Sequence, residues 1–194
     1  MRTYSQEEID SLVTCAKVIT EPPKKEMRCE RGTRRNNMTL QSKNSDQEFS
    51  VFMRINEDFH ENFSIGLNYS PRDERGTLCL LRCNGPHGEF LGGFPSSGSH
   101  FRYHVHRAKA ENVEGGLRGE RGAESTEAYA SYKDALAFFL REINVINASE
   151  YLPELSQPML PLNLPENEPR TSDGVRKFAV GSRPMNSAEK EQES

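Results

Sequence analysis

Four of the chain's five histidines, His87, His100, His104 and His106, fall within one 20-residue window. Imidazole titrates closest to neutrality of any unperturbed side chain, so it serves as proton donor, proton acceptor or metal ligand. On an extended strand His100, Arg102, His104 and His106 share one face, with residues i and i+2 about 7 Å apart at Cα. That spacing lets His104 and His106 flank one phosphodiester or hold one metal ion. In the first case one imidazole takes the 2′-hydroxyl proton of RNA and a second protonates the leaving 5′-oxygen. Arg102, Arg107 or Lys109 then stabilises the phosphorane charge, and no metal or cofactor is needed. In the second case His104 and His106 are ligands, completed by Glu111 or His87. A third reading leaves the histidines as exposed strand residues with satisfied hydrogen bonds.

A second group stands upstream. In Arg82-Cys83-Asn84-Gly85-Pro86-His87, Asn-Gly favours positive φ and Pro86 stiffens the turn, so a strand end is expected to present Arg82, Asn84 and His87 together. Arg82, Asn84, Arg107 and Lys109 are the candidate substrate-binding residues. His87, His100, Arg102, His104 and His106 are the candidate catalytic ones.

The elements that must position these groups follow from hydrophobic period. Ile9, Leu12, Val13, Ala16 and Ile19 step by three and four, which predicts an amphipathic helix over about 6–19, opened by a Ser5/Glu8 capping box and stopped before Pro22 and Pro23. The period then becomes twofold. Strands are expected over 24–30, 34–42, 48–55, 63–69, 77–83 and about 100–106, with a Gly32 turn between the first two. Between 84 and 99 five glycines and two prolines make a loop long enough to carry function. A second Gly-rich, charged stretch over 108–127 precedes a last helix over about 132–144, capped by Ser131 with Asp134. The order predicts an α+β fold: a mainly antiparallel sheet of five or six strands packed against an N-terminal and a C-terminal helix.

Composition bounds the rest. The chain has 194 residues, 34% of them hydrophobic and 28% charged, and its mean hydropathy of −0.79 is low for one fully packed domain. Fourteen of 16 aromatics precede position 148 and six of 11 prolines follow it. One domain over 1–147 and a Pro-rich, largely disordered tail over 148–194 are therefore expected. No apolar run approaches the roughly 20 residues that span a bilayer, so no membrane partner and a cytoplasmic setting are expected. Cys15, Cys29, Cys79 and Cys83 show no CxxC spacing, which argues against a disulfide or a zinc finger. A sequence pI of 5.8 argues against generic nucleic-acid affinity, although 24–35 and 100–109 are locally basic.

Three resemblances add to this. The hexapeptide 82–87, His104-Val105-His106 and the closing helix before Asn144 together resemble an uncharacterised family of small bacterial proteins, over roughly residues 5–146. The late His-x-His followed by a short terminal helix is similar to the toxin component of some bacterial toxin-antitoxin pairs, with His104 and His106 at the matching positions. That similarity implies a toxin-like or defence-associated protein in a bacterial, plasmid or phage setting, with a protein partner such as an antitoxin, while RNA as a substrate follows from the histidine chemistry above. Gly98, His104, His106 and Glu111 also resemble the first motif of cupins, with Gly119 one residue late and no second motif. The expected function is thus that of a toxin-like or defence-associated cytosolic protein, with metal-independent ribonuclease chemistry at the histidine cluster as its candidate activity. The alternatives are a non-catalytic protein- or nucleic-acid-binding module and a cupin-like metal-binding protein.

Overall fold

A computed structural model describes residues 3–72, 76–87, 90–91, 94–95 and 98–155. In chain order they form α1 (Gln6–Thr14), β1 (Lys17–Glu21), β2 (Arg28–Glu30), β3 (Thr33–Ser42), β4 (Glu48–Asn56), β5 (Phe63–Tyr69), β6 (Leu78–Asn84), β7 (Phe90–Leu91), β8 (Phe94–Pro95), a 3-10 turn Ser99–Phe101 and β9 (His104–Arg107). There follow α2 (Ala110–Glu114), β10 (Glu124–Ser125), α3 (Tyr132–Glu142), α4 (Ala148–Tyr151) and a 3-10 turn Pro153–Leu155.

Eight strands make one antiparallel sheet in the order β1-β3-β4-β5-β6-β9-β10, and β1 and β2 lie end to end along the outer edge of β3. The α+β class and the antiparallel sheet match the expectation, but the sheet holds eight strands rather than five or six, being wider by β1 and β10. Twofold alternation sorts its residues onto two faces. Met38, Leu40, Phe49, Val51, Met53, Phe63, Ile65, Leu67, Cys83 and Val105 point one way and are buried in one cluster with Ile9 and Leu12 of α1 and Ala135, Leu136, Phe139 and Leu140 of α3. Cross-strand register puts Arg35, Arg54, Ser64, Asn84 and His104 in one row on the opposite face, and Asn37, Phe52, Gly66, Arg82 and His106 in the next.

Several boundaries differ from the sequence reading. The first helix ends at Thr14: Cys15 takes φ −56 and ψ 143 and the chain enters β1. The β-branched run Val18-Ile19-Thr20 then favours a strand, and Ile19, whose spacing also suits a helix, is buried opposite Leu40 instead. The strand expected over 100–106 begins only at His104, because residues 99–101 form the 3-10 turn. Packing also runs past 147, since Leu152 is buried and Ala148 and Leu155 lie against the core. Residues 156–194, most of the expected tail, are outside the described residues. A hairpin joins β2 to β3 through Arg31 (φ 53) and Gly32 (φ 72), the paired positive φ values of a two-residue turn that follows strand twist.

No described helix is long and apolar enough to cross a membrane. The four cysteines are free. A bulge at Leu80 sends Cys79 and Cys83 to opposite faces of β6, and burial pushes both thiols up to about 12.

Candidate functional site

The four clustered histidines meet at the β6/β9 end of the sheet, on the face away from the helices. His104 and His106 rise from β9 opposite Asn84 and Arg82 of β6. His87 comes from the turn after β6 and His100 from the 3-10 turn before β9. Ring centroids are 4.8 Å apart for His87–His104 and His100–His104, 5.0 Å for His87–His100 and His104–His106, and 5.6 Å for His100–His106. The floor is sealed and the rim is open: His104 is 0% and His106 4% exposed, whereas His87 and His100 are exposed.

Backbone carbonyls orient three of the rings. Nδ1 of His87 donates to Gly85 O at 2.9 Å, Nδ1 of His104 to Arg102 O at 2.8 Å, and Nδ1 of His106 to Glu120 O at 3.1 Å. A carbonyl only accepts, so each ring carries its proton on Nδ1 and turns the Nε2 lone pair inward. His87 Nε2 then accepts from His100 Nδ1 at 3.2 Å. His104 Nε2 accepts from the Asn84 amide at 3.2 Å, and Asn84 Oδ1 accepts from Ser64 Oγ at 2.8 Å. His106 Nε2 is buried with no hydrogen-bond partner among the described residues.

Burial keeps the rings neutral. It draws His104 down to about 4, the neighbouring imidazoles adding to the shift while the Arg102 carbonyl opposes it. Burial also lowers His106, helped by the Arg82 charge, and lowers His100, helped by His87 and Arg82. At neutral pH these three rings are bases rather than imidazolium donors.

The turn that delivers His87 depends on Gly85. A Cβ there would overlap the Glu61 carbonyl oxygen, and the Gly85 amide donates to Phe63 O at 3.0 Å. Beneath the floor the Tyr129 hydroxyl donates to the His104 carbonyl at 2.6 Å and lies 3.3 Å from the Asn84 carbonyl. Glu120 is buried and its carboxylate sits 4.0 Å from Arg82.

Of the expected site residues, His87, His100, His104, His106, Arg82 and Asn84 come together. Arg107 does not, because odd-numbered residues of β9 face the helices: it pairs with Leu81 in register and its guanidinium donates to Glu142 of α3 at 2.8 Å. Lys109 and Glu111 line a cleft of about 600 Å³ beside α1, on the helix side. Arg102 gives the site its carbonyl while its own side chain is exposed and makes no hydrogen bond or ion pair among the described residues. Sequence reasoning missed Tyr129 and Glu120, which lie in the aperiodic stretches before α3 and after α2. Only their flanking glycines and acids hinted that those stretches return to the sheet.

One ligand atom from each of His87, His100 and His104 lies within 4.8 Å of the others. Ligand nitrogens at 2.0–2.1 Å on a tetrahedral ion are about 3.3 Å apart, and the His87–His100 nitrogen pair already stands at 3.2 Å. An Nδ1–H anchored on a carbonyl with Nε2 turned inward is also how metal-binding histidines are held. The residues present therefore suit a divalent transition metal. No protein-family model, curated protein or solved structure matches the chain.

Proposed function

We propose that the chain is a metalloprotein with a divalent transition-metal centre on His87, His100 and His104, and that it carries out metal-assisted chemistry on a substrate entering over the exposed rim. The observation that carries this reading is the convergence of one nitrogen from each of His87, His100 and His104 within 4.8 Å, two of the rings being anchored through Nδ1 on backbone carbonyls. Three protein ligands leave a position open, the arrangement of reactive rather than structural sites. Bound there, the ion would supply Lewis-acid polarisation of a substrate oxygen. The chain supplies the rest. The Arg102 carbonyl anchors His104 through Nδ1, the Asn84 amide that now donates to its Nε2 would yield to the ion, and Tyr129 holds the strand beneath. His106, whose Nε2 has no hydrogen-bond partner among the described residues, would accept a proton beside the centre.

The metal-independent ribonuclease requires one imidazolium near neutrality to protonate the leaving oxygen. Burial works against that in His104, His106 and His100, and the arginine and lysine at 107 and 109 are on the wrong face to stabilise charge there. The toxin-like setting with an antitoxin-type partner finds no support in the geometry and is left to the same experiment.

Metal-free protein titrated with Co2+ and Zn2+ should bind one equivalent of either, with the visible cobalt bands of a nitrogen-ligated site. His87→Ala and His104→Ala should each weaken binding by at least about a hundredfold, above the 10–100-fold that loss of an outer partner costs. Wild-type protein that takes up no metal, or a His104→Ala variant that binds as wild type does, would overturn the assignment. RNA cleavage persisting in EDTA and abolished by His106→Ala would put histidine acid–base chemistry in its place.

A further inference from the structure

Charge on the histidine face is unevenly provided. Arg82 stands in register with His106 on β6, on the same face of the sheet as the histidines. Its carboxylate partner is Glu120, at the 4.0 Å limit of an ion pair. Its Nε is buried and, among the described residues, has no hydrogen-bond partner. Guanidinium offers five donors in a planar fork suited to an oxyanion, so one distant carboxylate leaves most of that capacity unused. The buried, unpartnered His106 Nε2 beside it marks the same spot as built to receive something polar.

The total charge identifies what. As metal ligands His87, His100 and His104 are necessarily neutral, Arg82 and Glu120 cancel, and the proposed divalent ion leaves the site at +2. A phosphate monoester carries about −1.5 to −2 at pH 7 and neutralises it, while a monocarboxylate covers half. The next residues in the Arg82 row are Gly66 and Phe52. Gly66 has no side chain because the Phe52 ring lies over it, where a Cβ would overlap the ring. Arg54 covers that ring with its guanidinium 4.9 Å from the ring centroid. Away from the histidines the row thus continues as an aromatic surface capped by a second cation.

We propose that Arg82 is the anion-receiving residue of this site and that its ligand is a phosphate monoester, the phosphoryl group lying between Arg82 and the three-histidine centre. The inference rests on the metal reading for its charge balance. It is tested by calorimetric binding of phenyl phosphate to zinc-loaded protein, with phenylacetate and a 5′-hydroxyl oligoribonucleotide as comparison ligands and zinc content read on every sample. Phenyl phosphate should bind at least tenfold tighter than phenylacetate. Arg82→Gln should lose at least tenfold of that affinity with zinc content unchanged, and Arg82→Lys should recover part of it. Arg141→Gln, on α3 across the core, should bind as wild type does.

Equal affinity for the two small anions, or wild-type phosphate affinity in both Arg82 variants, would overturn the inference. So would tighter binding of the oligoribonucleotide, which would make the ligand a polyanion. Failure of the metal reading shows differently: samples without zinc that keep Arg82-dependent phosphate binding remove the ion and leave Arg82 in its role, whereas zinc-loaded protein indifferent to phosphate removes only the present inference.

Discussion

His104 shows how one ring's surroundings set its chemistry. With its usual value near 6.5 drawn down to about 4 by burial, it stays neutral in the folded protein while the same ring in the unfolded chain gains a proton as pH falls below 6.5. The unfolded state then binds more protons, so stability falls with pH across that window. A shift of this size is worth up to about 3 kcal/mol. Urea midpoints of metal-free protein should therefore drop steadily between pH 7 and 4, with a smaller slope in His104→Asn; a flat profile would contradict the burial described. Lys17, 0% exposed, has the opposite problem of a buried charge. Burial lowers its ammonium below the ordinary range, and Nζ donates to the carbonyls of Val13, Cys15 and Ile143 at 2.8, 3.0 and 3.2 Å. Lys17→Met keeps the stem and strands those carbonyls, with an expected loss of about 2 kcal/mol after the saved desolvation is counted. Denaturation that shows no loss would mean that water takes over the carbonyls. At this scale the sequence displayed the site's members through histidine crowding and strand parity. The same parity already placed Arg107 opposite His104 and His106, and basic character alone was a poor reason to group it with them.

Elements were legible wherever period and length agreed. β5 spans Phe63–Tyr69 as its alternation requires, and the capping box at Ser5 and Glu8 is formed in both directions. Where a short apolar run fits both periods, tertiary pairing decided. Ala16 to Ile19 continues a helical stripe on paper, yet β3 offers an open edge and Lys17 to Glu21 pairs with it. The 84–103 segment was legible as functional from its glycines, but not the direction in which it returns, since a loop without period carries no register. Among the described glycines of that segment, Gly85 is the one whose added Cβ would clash, against the Glu61 carbonyl oxygen. Gly85→Ala must push β6 away from Glu61 or turn the following residues aside, at about 1–3 kcal/mol. Because Gly85 also supplies the carbonyl that aims His87, cobalt affinity should fall at least tenfold even below the melting temperature. An alanine variant that melts lower and binds cobalt normally would separate the turn from the site.

Across the whole molecule, the composition shift near 148 was read as the end of the packed core, and Leu152 shows why that was early. One buried leucine is invisible to averages over a Pro-rich stretch. Leu152→Ala should cost about 2 kcal/mol, some 4–8 °C at this size. A chain ending at residue 147 should melt lower than one ending at 155 by a similar margin; coincident melting curves would show that α4 adds nothing.

The tie at Lys17 bears on how the chain is made. Its amide donates to Asn144 O, its carbonyl accepts from the Ile146 amide, and Asn147 pairs with Ile19 through both backbone groups, so the first strand is finished by residues translated more than 120 positions later. At 5–20 residues per second that is roughly 6–25 s of synthesis. Late in that interval, once residue 106 has been made, the nascent sheet still exposes the face that α3 will cover while the four site histidines are already present. Premature metal capture by those rings, or a chaperone holding the bare sheet, would compete with completion of the seam, and ribosome-bound chains stalled before Ile143 are where either event would be caught.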